Sequence, residues 1–494
     1  MVEGAVRSAF GLHPEATPTE KECVAGRCAE CAGGSASSRR VRSLWVVLLL
    51  LLAAAALPLV VDFAPPEPPP LVLLVVFDAL RADHLSQYGY ALPTSPGLAR
   101  LASRATLFRN AYAPASYTTA STASLMTGLS PLRHGARRQA ARLDERHVTL
   151  AELLRERGYR AHGVSFNPVV SHATGFTQGF HEFVERERGS PFNLYPDMAD
   201  GLAVIGRWLG ETDDPLFVYF QPMNTHGPYL VPADRRDTLL GRPPSPVFRY
   251  YDPLMADILG GKLARRAEVT PEYVRSGIER YDTAIRYATD ELGKLLDELE
   301  RSGRFDDALI VVTADHGEEF FEHGGFSHGY SLHEEVLRVP LLVKLPGQRA
   351  AREVETRVSL LDVYPTIADG VGARTPRAVE GASLLPLAQG GSAPARDSLY
   401  LLAEFSPRLV ARGVVSGTKK LVATEESYEG TERKLALYDL ASDPGERRDL
   451  AAAEPQLVRA LAERLRSEEL SSPERSAEVA DSLDAELRAL GYLR

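Results

Sequence analysis

Residues Leu71–Phe77 read Leu-Val-Leu-Leu-Val-Val-Phe and run straight into Asp78. A strand with no polar residue to turn toward water has to be covered on both faces, which is the condition of strands inside a parallel sheet. Shorter runs of the same kind occur at Ala161–Ser165, Leu216–Gln221, Leu309–Thr313 and Val339–Lys344. Helical stretches such as Val148–Arg157 and Gly277–Ser302 separate them. Strands alternating with helices predict an α/β fold, a mostly parallel sheet sandwiched by helices. From about Arg374 the pattern changes to short strand-like pieces at Leu399–Phe405, Leu409–Ser416, Lys420–Ala423 and Leu435–Leu440, followed by a helical tail from about Glu454. That change predicts a smaller C-terminal antiparallel sheet subdomain over 374–494, completing a catalytic domain that spans 71–373.

The region before the first strand reads differently. Leu44–Val61 is an uncharged apolar run close to the minimum length of a spanning helix, with Arg39, Arg40 and Arg42 directly before it. No Lys or Arg follows it until Arg81. Basic residues stay on the cytoplasmic side, so the reading is a single-pass inner-membrane anchor with the catalytic part extracytoplasmic, in the periplasm. A cleavable signal is the rival, since Ser38-Arg39-Arg40 faintly resembles a twin-arginine signal. Residues 1–43 are expected to form a disordered cytoplasmic tail, and the proline-rich 62–70 a stiff linker. All three cysteines, Cys23, Cys28 and Cys31, precede the anchor, so the exported part has no disulfide. Their spacing could hold a metal if His13 or another group completed it. The formal net charge of −10 argues against a nucleic-acid partner, whose phosphates demand a basic face. The expected partners are the membrane, through one N-terminal helix, and a small-molecule or cell-surface ester; oligomeric state is not legible.

In parallel sheets, ligands gather outside the carboxyl ends of the strands. Polar residues collect there in this chain: Asp78 ends the first strand, Asn224 and His226 follow Leu216–Gln221, and Asp315 and His316 follow Leu309–Thr313. A hydroxyl-rich run, Ser116–Gly128, is expected to become helical at about Ser121 and to leave Thr118 at the helix N-terminus, where an attacking oxyanion is favoured.

Six segments, in order, resemble the sulfatase family of the alkaline phosphatase superfamily: Phe77–Asp83, Ser124–Gly128, Thr313–Glu318, His328–Glu335 with Val339-Pro340-Leu341, Leu361–Thr366 and Leu437–Glu446. The resemblance agrees with a site in which Asp78, Asp315 and His316 hold one divalent metal (Mn, Zn, Ca or Mg) with Thr118 Oγ at an open position. It implies Thr118 as nucleophile, His226 and His328 as proton donors to the leaving alkoxide, and Asn167, with Asn224, beside the substrate. Arg81 and Asp83 read equally as helix caps or site residues. Glu318 is a candidate to support the metal. His162, His172, His181 and His323 read as surface or loop histidines, and Asp362 as helix-start chemistry.

The departures from the family pattern matter as much. A classical sulfatase has Cys or Ser at the nucleophile position, oxidised to an aldehyde, with Pro and Arg two and four residues later. Here those positions are Thr118, Ala120 and Thr122, and Asp78 is followed by Ala79. The methyl group on threonine Cβ forbids the aldehyde. The remaining set resembles the single-metal site of the phosphoethanolamine- and phosphoglycerol-transferring relatives, which use threonine. The expectation is a phosphate or sulfate ester hydrolase working through a Thr118 covalent intermediate, phosphoryl favoured. The alternatives are a sulfuric ester hydrolase without the aldehyde, a phosphoryl-headgroup transferase, or an inactive binding domain.

Overall fold

The computed structural model describes residues 68–470 apart from 140, 186–196, 237–240, 242–243, 251, 260–261, 393–395, 407–408 and 427–433. The expected tail, the apolar run 44–61 and most of the linker lie outside the described residues, and among those described no helix is long and apolar enough to cross a membrane. The described part falls within one compact unit beginning at Glu67.

Eight strands form the central sheet: β1 (Leu71–Phe77), β2 (Thr106–Phe108), β3 (Arg160–Ser165), β4 (Glu182–Glu185), β5 (Leu216–Gln221), β6 (Leu309–Ala314), β7 (Leu341–Lys344) and β8 (Arg352–Val354), in the order β8-β2-β7-β6-β1-β5-β3-β4. β1 is buried at every residue, as its composition requires, and pairs in parallel with β5 on one side and β6 on the other. The antiparallel exception is β7, which runs against both β6 and β2. The sequence pattern of Val339–Lys344 predicts one strand there, but the chain is broken at Pro340. Arg338–Val339 pairs instead with Ala111–Tyr112 in a separate three-stranded sheet. Proline has no N–H for the ladder, and its carbonyl accepts from Thr313 Oγ1 at 2.7 Å.

The main helices are α1 (Thr118–Thr127), α2 (Leu150–Glu156), α3 (Met198–Glu211), α4 (Pro271–Arg301), α5 (Val363–Gly370) and α6 (Pro455–Leu470). Two of the sequence-derived starts shift for capping reasons. α2 begins at Leu150 because Thr149 and Glu152 close a capping box. α4 begins at Pro271, six residues before the expected Gly277, because Thr270 caps the N–H of Tyr273 and proline fits the first helical position. Asp362 does form helix-start chemistry, in a capping box with Ser359.

β9 (Leu399–Ser406), β10 (Leu409–Ser416), β11 (Lys419–Glu426) and β12 (Lys434–Asp439) make the smaller antiparallel sheet, in that order. Helix α6 covers one face, where Val458, Leu461 and Leu465 meet Val414, Leu421 and Leu437. On the other, Leu401, Ala403 and Val415 pack against Tyr112, Leu332 and Val336. The two sheets are also joined by charge. Lys420, fully buried on β11, lies 2.9 Å from Glu446 and 3.1 Å from Glu334, and the second Glu446 oxygen accepts from the Glu334 N–H and pairs with His333 Nδ1. Burial pushes the Glu446 carboxyl up, but Lys420 overrides it and holds the group down at about 2.

Removing one member of a buried ion pair leaves the other uncompensated, so Lys420→Met is expected to lower folding stability by about 3–5 kcal/mol, read as a shift in urea unfolding midpoint. The depressed Glu446 carboxyl contributes stability that is full above its ordinary value of 4.5 and is lost as pH falls toward about 2. Melting temperature should therefore fall over that window, and less steeply in Glu446→Gln; equal slopes would place the acid sensitivity elsewhere.

Candidate active site

The sheet register assembles the site. Phe77 lies beside Ala314, so the chain leaves β1 and β6 at one level and Asp78 and Asp315 emerge as neighbours. Ser165 of β3 lies beside Gln221 of β5, which brings Asn167 and Gln221 to the same edge. Ala79 takes the left-handed conformation at φ 56°, a costly geometry for a residue with a Cβ. It turns the chain sharply after Asp78, and its N–H reaches Asp315 Oδ1 at 3.2 Å while its carbonyl accepts from the Tyr281 hydroxyl at 2.6 Å. On the other side Gly317 passes so close to the Glu335 carbonyl that a Cβ would come within 2.0 Å of it, which accounts for glycine after His316.

Thr118 is the first residue of α1, with Tyr117 as N-cap, so the helix starts three residues earlier than its sequence suggests. Its hydroxyl sits in the helix's positive end, 3.2 Å from His316 Nε2 and 3.3 Å from Asn167 Nδ2. Asn167 Nδ2 also donates to Asp78 Oδ2 at 2.5 Å. His316 Nδ1 bonds the Gly317 carbonyl at 2.9 Å, so that nitrogen carries the proton and the Nε2 lone pair points into the site. From there Nε2 is 3.8 Å from Asp78 Oδ1 and 3.6 Å from Asp315 Oδ2. All five side chains, those of Asp78, Thr118, Asn167, Asp315 and His316, are fully buried.

This set fits a divalent cation. One ligand atom each from Asp78, Asp315 and His316 lies within 4.8 Å of the others, and Asp78 Oδ1 is buried with no hydrogen-bond partner. Burial, and then the Asp315 charge, raise the Asp78 pKa; burial raises that of Asp315. Two adjacent carboxylates out of water call for a cation between them. Gln221 was overlooked in the sequence. Its Nε2 lies 3.3 Å from Asp78 Oδ2 and 3.2 Å from Asp315 Oδ2, and the Tyr219 hydroxyl anchors its Oε1 at 2.6 Å. The polar residue closing an apolar strand was the available signal, the same one that marked Asp78.

His328 lies tilted beside His316 with ring centroids 4.2 Å apart, and His226 follows at 5.0 Å from His328. Glu318 Oε1 is 3.2 Å from His328 Nδ1 and so holds that edge of the ring toward itself, which makes Glu318 a direct neighbour of the site. Burial lowers His328 to about 3 and lowers His226 as well. Asn224 is placed differently from expectation: its Oδ1 accepts from Met198 N, at the head of α3, at 3.1 Å and its Nδ2 donates to the Leu230 carbonyl at 2.9 Å, so one end ties the loop to α3 and the other shapes the loop itself. Arg81 is buried and clamps Asp83, Glu322 and the Glu318 carbonyl rather than capping a helix by its side chain. His162 is buried edge-on against Trp208, not on a surface or loop, because β3 carries it under α3. His323 groups with Glu319 and Glu335, but its ring nitrogens are taken by Glu335 at 2.6 Å and the Gly445 carbonyl at 3.1 Å. His172 and His181 are exposed.

A profile of the sulfatase family matches residues 70–373, and one described as N-sulphoglucosamine sulphohydrolase, C-terminal, matches 321–471. PehA of Trinickia caryophylli, a multifunctional alkaline phosphatase superfamily protein, is 27% identical over 497 residues, covering 82% of this chain and 96% of PehA. Arylsulfatase K of Rattus norvegicus is 25% identical over 452 residues, covering 82% of this chain and 79% of its own. The phosphonate monoester hydrolase of Agrobacterium radiobacter superposes with a TM-score of 0.67 at 23% identity, over 82% of this chain and 96% of that one. The 2-O GAG sulfatase BT1596 gives 0.64 at 21% identity, over 86% and 96%. These superpositions establish an alkaline phosphatase-like α/β fold. With the sulfatase profile spanning more than half its length, the chain belongs to the sulfatase family and is a sulfatase-like ester hydrolase.

Proposed function

We propose that this hydrolase cleaves a phosphoryl ester, a phosphodiester or phosphonate monoester, through a covalent intermediate on Thr118. The observation that carries the reading is the placement of Thr118 Oγ1 at the head of α1, against His316 and Asn167 and beside Asp78 and Asp315. The names of two relatives, a multifunctional alkaline phosphatase superfamily protein and a phosphonate monoester hydrolase, agree with phosphoryl chemistry. Against sulfuryl transfer stands the side chain itself. Threonine cannot become the aldehyde whose hydrate expels sulfate, and a plain threonine sulfate has no comparable route of collapse.

Asp78, Asp315 and His316 would hold a divalent cation. When bound, it lowers the Thr118 pKa and neutralises charge on the non-bridging oxygens. Thr118 Oγ1, its proton given up to solvent, forms the new bond to phosphorus, and the bond to the leaving oxygen breaks. Asn167 Nδ2 stands beside both Thr118 and Asp78 and orients the ester. His226 and His328 supply the proton that the leaving alkoxide needs. Burial keeps both neutral in the empty pocket, and the negative charge of a bound ester favours their charged forms. Water then attacks the phosphothreonine, releasing the acid and restoring the hydroxyl.

The apolar run at 44–61, its preceding arginines and the confinement of all three cysteines to the segment before it support a membrane-tethered enzyme whose catalytic unit lies outside the cytoplasm.

Thr118→Ala is expected to reduce phosphonate monoester hydrolysis by at least about 10³-fold. Intact-protein mass spectrometry of the quenched wild type should show a phosphonyl adduct mapping to Thr118; an adduct elsewhere, or sulfatase turnover alone, would refute the reading. Chelation should abolish turnover, with divalent metal restoring the wild type and failing to restore Asp315→Asn. His226→Ala and His328→Ala should each lose about 10²–10⁴-fold on an alkyl ester and much less on a 4-nitrophenyl ester, whose leaving group needs no proton. For topology, a membrane-impermeant maleimide should label Cys23, Cys28 and Cys31 only after the inner membrane is opened; labelling of spheroplasts would reverse the orientation.

A further inference from the structure

Beyond His226 the site is walled by aromatic rings. Tyr229 packs against Tyr281 and Phe248 with ring centroids 5.4 and 6.4 Å apart. Tyr250 lies across Gly227, where a Cβ would come within 2.0 Å of its ring; its centroid is 6.5 Å from that of His226 and its hydroxyl is 2.9 Å from Ser327 Oγ, next to His328. Phe248 is pinned to α4 through its N–H, which donates to Ser276 Oγ at 2.9 Å. The stretch from Tyr229 to Arg236, the stretch from Phe248 to Tyr250 and the middle of α4 therefore meet at this wall. Among the arginines they carry are Arg236, Arg249 and Arg280.

Nearby arginines are paired, Arg235 with Glu291, Arg265 with Asp257 and Glu268, Arg286 with Asp290. Arg236, Arg249 and Arg280 are not, among the described residues. Arg236 Nη2 donates only to the Val231 carbonyl, at 3.3 Å. Arg280 is half-buried, and its Nε is out of water with no hydrogen-bond partner. The adjacent acid, Glu279, accepts from the Ser245 N–H. Burial, then Arg236 and Arg249, push the Arg280 guanidinium below its ordinary value, and no carboxylate opposes them. The net charge of −10 makes acids plentiful, yet among the described residues no carboxylate is paired with any of the three. Arg236 and Arg249 are exposed, but Arg280 is held partly out of water beside them. Such an arrangement is unfavourable unless an anion joins it, and guanidinium forks match the oxygens of carboxylate, sulfate and phosphate.

We propose that Arg236, Arg249 and Arg280 form an anion subsite for the alcohol portion of the ester, selecting leaving groups that carry a carboxylate, sulfate or phosphate of their own. The assignment rests on the Thr118 reading for where the ester lies, because the wall flanks His226 and His328 on the side where the leaving oxygen is protonated.

The test compares phenylphosphonate esters of 4-nitrophenol and of 3-carboxy-4-nitrophenol on the metal-loaded full chain. In Arg249→Gln/Arg280→Gln the ratio of kcat/KM for the carboxylated ester to that for the plain ester should fall by about tenfold, the weight of one good charge-assisted contact. An unchanged ratio overturns the subsite. Calorimetric titration with inorganic sulfate separates this from the chemistry. In a Thr118→Ala background, sulfate affinity should drop at least about fivefold when the two arginines are replaced. Equal affinity in both proteins overturns the subsite even if neither ester is turned over, whereas a lost affinity with no ester hydrolysis leaves the arginines as an anion site and sinks only the Thr118 reading.

Discussion

Two carboxylates held side by side away from water are the constraint on which the rest of this structure depends. Asp78 and Asp315 are neighbours because β1 and β6 run parallel in a register that ends both strands at one level. Nothing in that arrangement is relaxed: burial and mutual charge raise the Asp78 pKa, and Ala79 bends through a strained conformation to give Asp315 a backbone N–H. Gln221, Asn167 and His316 then converge on the pair. A parallel sheet whose strands are close-packed on both faces can hold such a pair rigidly, since any shift along a strand would have to repack both layers of the core.

The C-terminal sheet is part of the same construction rather than an appendage. Its first strand bridges to the segment entering α1, with Ser116 N–H donating to the Leu402 carbonyl at 3.2 Å. Lys420 and Glu446 grip Glu334 and His333, the far end of the stretch that carries His328. Both sides of the pocket, the Thr118 side and the His328 side, are thus braced by residues from beyond Arg374.

Much of this was legible in the sequence because burial on two faces leaves a compositional trace. β1, β5 and β10 fall where their apolar runs place them, and Asp78, Asp315 and His316 were found as polar residues closing such runs. What escaped did so for local reasons. Pro340 splits one apolar run between two sheets, and the Thr270-Pro271 start of α4 lies outside its amphipathic stretch. Asn224 has the right company in sequence, yet its amide is committed to its own loop and to the head of α3. Gln221 passed as part of a strand, since a single amide carries no chemistry until its register against Asp78 is known. The arginines at 236, 249 and 280 are invisible as a group, because only the packing of Phe248 on α4 and Tyr229 on Tyr281 brings them together.

The methyl group of Thr118 has a consequence for how the protein is made. A cysteine or serine at the head of this helix, the family's usual residue, would have to be oxidised after synthesis. Threonine arrives in its final chemical form. Folding can bury it at once, without an accessory oxidation.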